Sequence, residues 1–209
     1  MHLSPMQREK LVTIVRRGVM AVVYCGLFFA SAIGVMIISR SFPLPIENWI
    51  EIYQEILLLV CAGVFFGLAR GIESERGGLL LIGGFFASLL IREMDAVFDV
   101  VHHSFWQVIL LAFWAMLAVG VRRAGLSSSI EGVHRFVAAH QFLLMCVGVA
   151  MVLVFSRMFG AHWLWSLYVD HSPSFHTAKR LAEEALELLG YLLCVTAAIG
   201  YTFERRDDN

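Results

Sequence analysis

Arg92, Asp95, Asp99, His102 and His103 share one face of a helix at about 100° per residue, with Glu93 about a quarter-turn away. A guanidinium, two carboxylates and two imidazoles in a row form a set able to hold a cation, relay a proton or grip an anionic group. Asp95, Asp99 and His103 repeat at i, i+4, i+8, which offers the mixed oxygen and nitrogen donors that zinc, iron or manganese accepts. Two more acidic sets show helical spacing. Glu47, Glu51 and Glu55 recur at i, i+4, i+8, and Arg180, Glu183, Glu184, Glu187 and Tyr191 fit one arc. These patterns predict a divalent metal as cofactor, with Glu55, Asp95, Asp99 and His103 as its ligands. Arg92 would orient carboxylates or an anionic head group, and Glu184 or Glu187 would act as general base.

The plain alternative is a structural network in which Arg92 neutralises Glu55 or Glu187 and ties helices together. Acids at the start of the last helix also complement its N-terminal dipole. Against this stands the local excess of carboxylates over arginine, which calls for a metal ion or a shared proton.

The elements that carry these residues are predicted to lie in a bilayer. Of 209 residues 59% are hydrophobic and 16% charged, where a soluble domain sits nearer 45–50% and 25%. Six segments approach the ~20 apolar residues that cross a membrane. They run from about 18 to 39, 49 to 69, 77 to 98, 105 to 121, 136 to 159 and 181 to 203. The first is of spanning length, longer than the apolar core of a leader peptide. Pro43 and Pro45 break the chain after it, the stretch from Gly125 to Ser129 reads as a polar loop, and an aromatic, His-containing connection runs from Gly160 to Arg180. The expectation is one all-α domain over 1–209, a six-helix transmembrane bundle with close contacts at Gly83, Gly84 and Ala87.

Eleven lysines and arginines fall on the side holding both termini and five on the other, so both termini are expected in the cytoplasm. The acids are biased the other way, which puts the site on the periplasmic or exterior face of a bacterial-type inner (plasma) membrane. Glu55, Arg92, Glu93, Asp95, Glu183, Glu184 and Glu187 all lie at outer-leaflet depth, Glu55 roughly 9 Å inside its span at 1.5 Å per residue. An unpaired charge there costs at least about 2–3 kcal/mol, so these side chains are predicted to converge in the bundle interior with Arg92 as the one deep cation.

No HExxH is present, and the single Glu-x-x-His pair, Glu131 with His134, has no second copy. The general layout is similar to that of the alkaline ceramidase-like hydrolases, whose HxxxH signature is absent here, His134 and His140 being six apart. Arg92-Glu93-Met94-Asp95-Ala96 resembles the Arg-Glu-x-x-Glu motif of the iron permeases in its first two positions. Neither resemblance carries functional residues over. Cys25, Cys61, Cys146 and Cys194 lie apart in apolar runs and read as small hydrophobes. The near-even charge balance leaves no basic face for nucleic acid. The leading function is a metal-dependent membrane enzyme acting on a lipid-like substrate, with membrane lipids or other membrane subunits as partners. The rivals are a proton- or cation-coupled transporter titrating at Glu55, Glu93 and Glu187, with a water path past Tyr191 and Cys194, and a non-catalytic scaffold in an envelope assembly.

Overall fold

The computed structural model describes residues 5–41, 46–98, 100, 102, 104–165 and 173–207, and every regular element among them is helical. The chain divides into two compact units, Met1–Trp49 and Ile50–Asn209. Helix α1 (Pro5–Ser41) makes up the first, with Val22, Leu27, Phe29 and Ile37 exposed along it. Its apolar stretch, Val22–Val35, is shorter than a span, whereas five other helical segments are long and apolar enough to cross a membrane.

The second unit begins within α2 (Ile46–Gly71). A 3-10 turn at Glu73–Glu75 leads into α3 (Arg76–Glu93), and Met94 then ends the helix with ψ near 16°. A single turn, α4 (Asp95–Phe98), comes next. The continuous helix expected through Phe98 and on to His103 is therefore interrupted. The physical reason is that the apolar run ends at Ile91, and beyond it no buried stripe sustains the helix. Asp95 lies beyond that break, and Asp99 and His103 fall outside the described residues.

Helix α5 (Phe105–Ala124) ends at Gly125, whose φ of 89° suits only glycine. What reads as a polar loop is instead the first turn of α6 (Leu126–Ala138). Ser128 and Ser129 are helical and turned inward. The Gly77 amide donates to Ser128 Oγ at 2.9 Å, and that hydroxyl in turn donates to the Glu73 carbonyl at 3.2 Å. A Cβ on Gly78 would collide with the backbone of Gly132 and Val133, so α3 and α6 meet backbone to backbone.

The next span is Gln141–Gly160, built of α7 (Gln141–Ala150), a π turn at Met151–Phe155 and α8 (Ser156–Gly160). It starts five residues later than the apolar run implies, because Phe136 belongs to α6. After the one-turn α9 (His162–Trp165), helix α10 (Pro173–Asp207) returns along α7, the π turn and α8. Gly148 and Gly190 allow that approach, the carbonyl of each lying 2.7 Å from where a Cβ on the other would sit. Phe65, Phe86, Phe136 and Tyr201 form the aromatic centre of the core. Phe65 stacks on Phe86 with ring centroids 6.0 Å apart and meets Phe136 edge-on at 5.5 Å, and Phe136 meets Tyr201 edge-on at 5.3 Å. Aromatic pairs of this kind add about 0.5–1.5 kcal/mol each beyond the area they bury.

Candidate functional site

Beyond the aromatic centre, towards the end of α3, the bundle opens into a polar cavity of about 430 Å³. Arg92, Glu93 and Asp95 line it from α3 and α4, Arg157 from α8, and His176, Lys179, Arg180, Glu183, Glu184 and Glu187 from α10. Four of these side chains are cationic and five are acidic. Carboxylates from separate helices thus share one space, as their common depth implies. Asp95 and Glu187 are both there, Asp95 being exposed at the edge, whereas Glu55 is half-buried on α2 and does not line the cavity.

The pairing differs from expectation. Arg92 donates from Nη2 to its own neighbour Glu93 at 2.7 Å. Glu93, set a quarter-turn away in an ideal helix, reaches the cavity and also accepts from the Tyr191 hydroxyl at 3.0 Å. Arg92 is not the one cation at the site: Arg157, about half exposed, donates from Nη2 to Glu187 at 2.8 Å and from Nη1 to Glu183 at 3.2 Å, so one guanidinium spans two successive turns of α10. In sequence Arg157 reads as a residue near the end of a span. It is the π turn that gives it this aim, since the extra residue per turn shifts the helical phase of Ser156 and Arg157, and such turns recur at functional sites.

Glu187 is 3% exposed and its Oε1 lies 3.1 Å from Ser156 Oγ, which also hydrogen-bonds the Val152 carbonyl of the π turn. Glu184 is held differently. Its Oε2 accepts from Gln54 Nε2 of α2 at 3.1 Å, and the same amide donates to the Glu184 carbonyl. Among the described residues no guanidinium hydrogen-bonds Glu184, so its carboxylate is fixed in place by a neutral donor and faces the cavity. Glu51 pairs with Arg180 at 2.9 Å, joining α2 to α10 at the rim.

Next along the same helices lies an apolar crevice of about 480 Å³, with Leu81, Ile82 and Phe85 of α3 on one side and Met145, Val149, Leu153 and Val154 of the π-containing span on the other. Val154 is three residues before Arg157, and Phe85 is seven before Arg92, roughly 10 Å at 1.5 Å per residue. No known family model, curated protein or solved structure matches this chain.

Among the described residues no three His, Cys, Asp or Glu side chains gather as a metal site. Cys61 and Cys194 are buried, while Cys25 and Cys146 are exposed, and all four are free thiols. Along the interval a water path would follow, Tyr191, Cys194, Ala198 and Tyr201 are all buried on α10. Arg157, Gln54 and Ser156 are the contributors that side-chain spacing alone did not single out for the site. The signal available for Gln54 was its place between Glu51 and Glu55 on the same helix.

Proposed function

We propose that this is a multi-pass membrane protein that takes a lipid-like amphiphile, its polar head in the cavity between α3, α8 and α10 and its chain in the adjoining crevice. The observation that carries this reading is the succession of an apolar crevice and a charged cavity along the same two helices. A head group there meets guanidinium and ammonium groups together with carboxylates, a composition suited to a zwitterionic head. Arg92, on the cavity wall, would bind its anionic part. Glu184 would serve as general base, because its Gln54 partner orients it and no guanidinium among the described residues hydrogen-bonds it. Glu187, engaged by Arg157, would hold the wall in shape. Under this reading α1 supplies a sixth span, the termini are cytoplasmic and the cavity faces the periplasm or exterior, as the distribution of Lys and Arg implies.

Native mass spectrometry of the detergent-purified protein, offered phosphatidylethanolamine, phosphatidylglycerol and diacylglycerol, tests the reading. Stoichiometric retention of the zwitterionic lipid, lost in Arg92→Gln, is the expected result. Equal retention of all three, or retention unchanged in Arg92→Gln, would sink it. A divalent metal belongs to the same proposal through Asp95, the one expected ligand among the described residues that lines the cavity. Metal content unchanged in Asp95→Asn removes the metal from it.

A further inference from the structure

A crevice of about 250 Å³ runs between α3 and α5, lined by Leu81, Trp114, Leu117, Ala118, Val121 and Arg122. Leu81 precedes Arg92 by eleven residues, roughly 16 Å along α3, so this crevice is well removed from the polar cavity. We propose that it seats an anionic phospholipid of the surrounding membrane, its chain along the crevice and its phosphate on Arg122 and Arg123.

Shape comes first. Five of the six lining side chains are apolar or aromatic, and the one charged group, Arg122, sits in the last turn of α5. Trp114 precedes Arg122 by eight residues, roughly 12 Å along the helix. The lining is therefore an apolar track that ends at a guanidinium, the outline of a lipid chain below its head group.

Charge is the second observation. Arg123 follows Arg122, and both are exposed. Among the described residues no carboxylate pairs with either. The described acids at this end of the unit are engaged elsewhere. Arg76 holds Glu73 at 2.9 Å, Arg135 holds Glu131 at 2.7 Å, Arg205 holds the buried Glu75, and Glu204 faces the His140 imidazole at 3.1 Å. The last carbonyls of α5 favour positive charge here, yet they leave the guanidinium forks open to an acceptor such as phosphate.

The third observation is α6, which starts three residues after Arg123. Its 13 residues, about 20 Å, are too few to cross a bilayer. One side packs on α3 through Ser128, Ser129 and Gly132. Leu126, Ile130, Val133 and Val137 stand exposed on another, at i, i+4, i+7 and i+11. An amphipathic helix of this kind, next to arginines, suits the boundary between head groups and chains. Because α6 joins the end of α5 to the next span, that boundary falls at the level of Arg122 and Arg123. Two cations there select a net negative head group over a zwitterionic one, roughly fivefold for each basic residue that reaches it.

Quenching of tryptophan fluorescence by lipids brominated at mid-chain tests the site, with the full chain in phosphatidylcholine nanodiscs. Brominated phosphatidylglycerol should quench more than brominated phosphatidylcholine at equal mole fraction, with a relative binding constant of about five. That excess should shrink as ionic strength rises. Trp114→Phe should remove it, because the other four tryptophans do not line the crevice. Arg122→Gln combined with Arg123→Gln should remove it too, with Tm unchanged, since both side chains are exposed. Equal quenching by the two lipids, the result expected if a second copy or another protein covers the crevice, overturns the proposal. So does an excess that survives Trp114→Phe, survives the double arginine variant, or ignores salt.

Discussion

Arg157 Nη2 and Glu187 Oε1 lie 2.8 Å apart, and this contact ties the π-containing span to α10 on the wall of the polar cavity. The pair is asymmetric. Glu187 is nearly fully buried, whereas about half of the Arg157 side chain is exposed. Removing the arginine strands a buried carboxylate, and solvent screening on the arginine side trims the loss below that of a fully buried pair. Arg157→Ala is expected to cost about 2 kcal/mol. Adding Glu187→Gln should recover most of that loss, as read from denaturant unfolding of the two single variants and the double variant. A double variant that loses the sum of the two single losses would show that the pair is not coupled.

The crevice yields a prediction about shape. Ala150 is one of its lining residues, and Ala150→Phe would fill part of the space without touching a charged group. Retention of a phospholipid should fall about tenfold, about 1.4 kcal/mol, with little change in Tm. Binding measured by native mass spectrometry and a melting curve on the same preparation check both halves of that statement.

The approach of α3 to α6 tolerates no side chain. Gly78→Ala would set a methyl group against the Gly132 and Val133 backbone, and backbone cannot rotate away as a side chain can. Overpacking of this kind costs about 1–3 kcal/mol. Gly71→Ala meets open space and should leave stability within about 0.5 kcal/mol of the parent, which makes it the control in a thermal-unfolding comparison.

On the surface of α6, the hydrogen bond from Arg135 holds the Glu131 carboxyl below its usual value of 4.5. A depressed carboxyl stabilises the fold above its unfolded-state pKa, and that contribution disappears as pH drops through the lower folded-state value. Wild type should therefore out-melt Glu131→Gln near neutrality, and the gap should narrow as pH is taken below about 4.5. Melting curves across that range provide the check, and a gap that widens in acid would contradict it.

The helices were legible in the sequence because an apolar stretch of ~20 residues declares itself without reference to any partner. The convergence of Glu93, Glu183, Glu184 and Glu187 was partly legible too, since burying charge in lipid is costly enough to force the residues together. Which cation each acid meets was not. Arg157 reaches Glu187 through a local change in helical winding, and a run of Met, Val, Leu, Val and Phe contains nothing that announces a π turn. Helix α6 was hidden for a different reason. Gly125 followed by three serines within four residues looks like a turn, although Leu126, Ile130, Val133 and Val137 already recur at helical spacing and are all exposed on one side of the helix. The buried serines are explained only by the glycines opposite them.

The extra residue held in Met151–Phe155 acts as a dial for everything downstream. Excising one residue there would restore ordinary winding and swing Ser156 and Arg157 about 100° around the axis, away from α10, while the hydrophobic length barely changed. A chain shortened by that single position would still insert, yet its last helix would find no guanidinium waiting for it.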